Sequence, residues 1–158
     1  MNEKIKYTLF NKHFLYAFII IFIGFIIRYY YFIGVDAWFD EWNILYTVDP
    51  NISNEDTWKR YYGDRGDDYI LPEYYPPLYA FLLKSFLGTF GYYVENARLL
   101  SLIFGSSSLI LVFYLTRVFS NSKNSLIATI FVSLNLFLIF QSSEIIHHIF
   151  VVFFSFLS

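Results

Sequence analysis

The chain has 158 residues, 57% of them hydrophobic, 24% aromatic and only 15% charged, a balance that excludes an ordinary soluble domain and points to the membrane class. It contains no cysteine, which removes disulfides and thiolate metal sites. The net charge of −2 hides a sorting by segment, because ten of the thirteen acids fall between Asp36 and Glu73, and no basic patch of the kind that binds nucleic acid is present.

The N-terminal arm carries Lys4, Lys6 and Lys12 against Glu3 and leads into an apolar run over about 14–33. At about 1.5 Å per residue such a run reaches roughly 28 Å as a helix, enough for a hydrocarbon core. It ends in Arg28 followed by Tyr29, Tyr30 and Tyr31, an aromatic belt rather than a small-residue cleavage site, so it reads as a retained span and not a signal peptide. The preceding lysines predict a cytoplasmic N-terminus.

From about 34 to 96 the chain must be aqueous, since each acid at a membrane centre would cost roughly 2.5–3.5 kcal/mol. Trp42, Tyr46, Trp58, Tyr61 and Tyr62 alternate with the charges and need a surface to pack on, so short interfacial helices are expected, broken at Asp49-Pro50-Asn51 and at 63–67. The stretch 77–90 is apolar but short for a span and has Lys84 at its middle, which places it as a helix lying along the outer face.

Two further spans are expected at about 97–116 and 125–141. They are joined by RVFSNSKN, which holds Arg117 and Lys123 and no acid, as a cytoplasmic loop should. By parity, QSSEIIHH then emerges on the side of the acidic loop. A fourth apolar run at 145–158 reads as an incomplete span. The fold class expected is thus an all-α polytopic membrane protein with an outer loop carrying interfacial helices.

Asp40 and Glu41, side by side in AWFDEWN just beyond the first span, are either solvated anchors at the headgroup level or part of a reaction centre. Residues alone leave this open. WFDEWNILYTV, then YPPLYAFLLKSFLGTFG, then NARLLSLIFGSSSLILVFYLTRVF, then FQSSEI resemble, in order, the N-terminal region of the polytopic glycosyltransferases that include protein O-mannosyltransferases and lipid A aminoarabinose transferases. The resemblance covers nearly the whole chain from about Phe14.

It implies the N-terminal part of a GT-C fold in a bacterial cytoplasmic membrane, with an extracytoplasmic site that moves a sugar from a polyprenyl-phosphate donor to a hydroxyl acceptor. It also implies that this polypeptide is the N-terminal portion of an enzyme that is several times longer in the family, with the remaining part on another chain as an expected partner. The partners implied are membrane lipid and the lipid-linked sugar, and no other cofactor is evident.

The resemblance places the catalytic carboxylate in the pair Asp40 and Glu41. Asp40 is expected to be the general base for the acceptor hydroxyl, with Glu41 holding it, contacting the acceptor or raising its pKa by repulsion. Arg98 matches a recurring arginine that binds phosphate, pairs with a carboxylate such as Asp40, or simply anchors the interface. Lys84 contacts phosphate or snorkels from its helix. Tyr75 stands where many relatives have the histidine of His-Pro-Pro, and Glu144 keeps its place in a motif whose following small residue and arginine are here Ile145 and Ile146. His147 and His148 diverge by about 100° on a helix and make a poor ligand pair, so no metal site is expected.

The alternative is a small non-catalytic membrane protein that binds a partner or lipid headgroups through its acidic, aromatic outer loop.

Overall fold

The computed structural model of the protein describes residues 3–33, 36–63 and 76–158, with side chains from Lys12 onward. Among the described residues all regular structure is helical: α1 (Glu3–Phe32), α2 (Phe39–Thr47), α3 (Asn54–Tyr61), α4 (Pro77–Phe90), α5 (Val94–Phe119), α6 (Ser122–Ser133), α7 (Leu136–Gln141) and α8 (His148–Ser155). Tyr75 lies outside the described residues.

Two stretches, Lys12–Phe32 of α1 and Val94–Phe119 of α5, are long and apolar enough to cross a membrane. In α1 the apolar side chains point in every direction, and Leu15, Phe18, Ile19, Phe22, Ile23 and Ile26 are exposed. A helix apolar all round cannot choose between a wet face and a dry one.

The two long helices run antiparallel. Phe14 packs on Phe113, with centroids 5.7 Å apart, and Arg117 lies over the Phe14 ring, while the far end of α5 meets the segment that follows α1. Gly24 sits at the crossing, where a Cβ would come within 2.8 Å of Leu109 Cδ1 and 3.0 Å of Ser133 Oγ. Small residues are what allow helix backbones to approach this closely. α6 runs alongside α1 in the same direction, so that its end at Ser133 reaches the level of Gly24.

The single helix expected over 125–141 is interrupted. α6 stops at Ser133 and α7 begins at Leu136, with Asn135 Oδ1 accepting from Leu138 N at 3.0 Å as the new N-cap. A break leaves helix carbonyls without partners, and Arg28 of α1 supplies donors. Its Nη1 donates to Ser133 O at 3.1 Å and to Gly24 O at 3.0 Å, its Nη2 to Val132 O at 3.1 Å, and its Nε to Ser142 Oγ at 3.3 Å. The arginine that ends the first apolar run is therefore a buried pin between elements.

Beyond the long helices, α2, α3 and α4 form a cap. Pro77 at the first turn and Gly91, at φ 104, delimit α4, as proline and glycine do at opposite helix ends. Ser53 caps α3 by accepting from Asp56 N at 3.0 Å. The buried core lies at this end of the molecule, built from Ile44, Leu45, Val48, Tyr79, Leu83 and Leu87 of the cap against Leu100, Ile145 and Phe150.

Candidate functional site

The start of α2 sets the geometry. Asp40 and Glu41 occupy its first turn, where the unpaired amides and the helix dipole favour acids. Glu41 turns back into the protein and is 1% exposed, whereas Asp40 points to solvent.

All of the accepting capacity of Glu41 is used. Oε1 accepts from Arg98 Nε at 2.9 Å and from the backbone amide of Ile145 at 2.9 Å. Oε2 accepts from Arg98 Nη2 at 2.6 Å and from Trp38 N at 3.0 Å. The guanidinium also donates from Nη2 to Asp36 O at 3.2 Å. This two-pronged, charge-assisted pairing is the strong form of the arginine–carboxylate contact. It ties together three stretches that are 57 and 104 residues apart.

Ile145 reaches Glu41 because α7 ends cleanly. Ser142 Oγ and Ser143 Oγ donate to the carbonyls of Leu138 and Ile139, taking up helix-end acceptors, and the chain then turns. Gly105 of α5 makes room for that turn, since a Cβ there would lie 2.6 Å from Ser142 Cβ.

Glu144 lies in the same turn and is 7% exposed. It has no hydrogen-bond partner among the described residues, and burial raises its carboxyl from 4.5 to about 7. The neighbouring charge of Glu41 adds to the rise, Arg98 opposes it and Asp40 adds a smaller push.

Two cavities flank the Glu41–Arg98 pair. One, of about 190 Å³, is lined by Tyr31, Trp38, Arg98, Phe140, Ser143 and Glu144, with walls that are almost wholly apolar. The other, about 420 Å³ and more polar, includes Asp36, Trp42, Glu95 and Arg98 in its wall. Asp40 is in neither lining, although its charge is felt at Glu144.

The sequence-predicted residues therefore separate. Glu41, Arg98 and Glu144 come together, with Asp40 on the solvent side, and Arg98 pairs with Glu41 rather than with Asp40. Lys84 is elsewhere and does not snorkel. Its Nζ is buried in a cage of Ile52 O at 2.8 Å, Ser53 O at 3.1 Å, Asn54 Oδ1 at 3.1 Å and Thr57 Oγ1 at 2.7 Å. Burial lowers its pKa, and its work is to fasten α3 to α4.

Sequence reasoning missed Trp38 and Phe140 as facing partners, 6.4 Å apart and edge to face, and it missed Arg28 as a pin. An arginine inside an apolar run was the available signal for the latter. Among the described residues no three histidine or carboxylate side chains gather as a metal site.

No protein-family model, characterised protein or solved structure matches this chain.

Proposed function

We propose that the chain is part of a membrane glycosyltransferase that moves a sugar from a polyprenyl phosphate to a hydroxyl acceptor at the outer face of a bacterial membrane. One juxtaposition supports this reading. Three of the stretches that carry the resemblance, WFDEWN, NARLL and FQSSEI, meet at a single point through Glu41, Arg98 and Ile145, at the end of a long apolar helix where a lipid-borne donor would present its head.

In this scheme the acceptor oxygen attacks the anomeric carbon, its proton passes to the Asp40 carboxylate, and the bond from that carbon to the phosphate oxygen breaks to release polyprenyl phosphate. Asp40 suits a general base because it is solvent-facing and, among the described residues, holds no internal bond that the proton would have to displace. Glu41 and Arg98 act as positioning residues, since their bonds to each other and to the backbone fix the start of α2. In this reading the N-terminus lies in the cytoplasm and the cap outside, as the lysines before the first span favour.

The test is transfer of labelled sugar from a polyprenyl-phosphate sugar in membranes containing the protein. Loss of the base is expected to lower the rate by about 10²–10⁴-fold in Asp40→Asn. Equal transfer in the parent and Asp40→Asn would remove the role of Asp40.

A non-catalytic membrane protein is the second reading, favoured by one observation: Asp40 lines neither cavity. That reading expects no transfer in the parent and tolerance of Asp40→Asn in partner or lipid binding.

A further inference from the structure

The end of the long helices away from the cap carries charge of one sign. Lys12 of α1, Arg117 in the last turn of α5 and Lys123 in the first turn of α6 lie there, with half-buried His13 next to Lys12, and no described acid lies at that end. The Arg117 guanidinium sits over the rings of Phe14, at 4.6 Å, and Phe113, at 5.9 Å, which ties its charge to the junction of α1 and α5. Lys12 and Lys123 are exposed. We propose that this end is a binding surface for an anionic phospholipid, whose headgroup phosphate is held by Lys12, Arg117 and Lys123 while its tails lie against the apolar side chains of the same helices. The inference is independent of the transfer reading.

Three observations select this partner. Clustered cations at the ends of membrane spans attract anionic headgroups, whereas a zwitterionic headgroup would bring its own ammonium into a positive field that no described carboxylate offsets. Each helix that supplies a cation also exposes apolar side chains close by, Leu15 on α1, Val118 and Phe119 on α5 and Ile127 on α6, which suits a molecule with tails better than free phosphate or an acidic peptide. Finally, the connection from α5 to α6 is only Ser120 and Asn121. Asn121 Oδ1 accepts from Asn124 N at 2.9 Å, and Asn124 Nδ2 donates to Ser120 Oγ at 2.7 Å. Arg117 and Lys123 are thus presented by a short, internally bonded turn, and a headgroup meets charges whose backbone is already ordered.

The full chain in detergent, titrated with phosphatidylglycerol or phosphatidylcholine and followed by native mass spectrometry, is expected to retain phosphatidylglycerol in preference. Each cation near an anionic lipid contributes roughly a fivefold gain in affinity, so Lys12→Gln combined with Lys123→Gln should cut that preference by about 25-fold. Lys12→Arg combined with Lys123→Arg keeps the charge and should keep the preference. Both positions are exposed, so neither pair of substitutions disturbs the packing. Lys59→Gln removes an exposed cation from the cap and changes net charge without touching this end, so it should leave the preference as it was. Inorganic phosphate should not displace bound phosphatidylglycerol.

Equal retention of the two lipids, or a preference that survives in the glutamine pair, would overturn the assignment. So would loss of the preference in the arginine pair, an equal fall in Lys59→Gln, or displacement of the lipid by inorganic phosphate.

Discussion

Adjacent side chains on a helix diverge by about 100°, and that angle separates the two acids at the start of α2. Glu41 is enclosed by Arg98, Trp38 and Ile145, and Asp40 is left outside. Removing one member of a buried ion pair strands the other, at a cost of about 3–5 kcal/mol. Glu41→Gln and Arg98→Met are therefore expected to unfold at markedly lower temperature or denaturant, and Arg98→Lys should fail to rescue because an ammonium cannot form the two-pronged contact. Asp40→Asn should match the parent within about 0.5 kcal/mol. A Glu41→Gln protein as stable as the parent would show that the pair contributes nothing net. Glu144 ties stability to pH. Its carboxyl rises from 4.5 to about 7 in the folded protein, so between those values the native state holds more protons than the unfolded chain. The stability this contributes is complete below about pH 4.5 and is lost as pH rises through 7. Glu144→Gln should remove that slope, on the order of 1–3 kcal/mol, and stabilise the protein above pH 7. The parent-minus-variant unfolding free energy, followed from pH 4.5 to 8, reads it, and a difference that does not change with pH would contradict it.

Among the elements, α4 was legible to the residue, because Pro77 and Gly91 mark its ends in the sequence as they do in space. The break between α6 and α7 was not, since hydropathy runs unchanged through Leu134 and only Asn135, a good N-cap, hints at a restart. The site was half legible for a related reason. Sequence put Arg98 near the acidic pair, but which of two neighbouring acids it meets depends on helix phase, and phase follows from a start at Phe39 that no cap residue announces. Lys84 was misjudged because the oxygens around it come from residues 52–57, whose approach to α4 has no local signature. The α6–α7 break makes its own prediction. Arg28→Leu orphans the carbonyls of Val132 and Ser133, at about 1–3 kcal/mol for each buried group left unpaired. Amide exchange across α7 should accelerate in that variant and recover in part in Arg28→Lys. Unchanged exchange in Arg28→Leu would mean that other groups satisfy the break.

For the molecule as a whole, the described acids from Asp36 to Asp56, with Glu95 and Glu144, lie at the end of the long helices where the cap and its core lie, while Arg117 and Lys123 lie at the other. The proposed orientation expects an impermeant thiol reagent to label Asn51→Cys but not Lys123→Cys on intact cells, both positions being exposed. Labelling only the latter would invert the protein. The bond from the Ile145 amide to Glu41 carries a further consequence, for biosynthesis. Its partners are 104 positions apart, so at about 5–20 residues per second a ribosome makes the carboxylate roughly 5–20 seconds before the amide that completes its shell. Through that interval the nascent acid can hold at most three of the four bonds it accepts in the finished fold, and its shell closes only once Ile145 has been made.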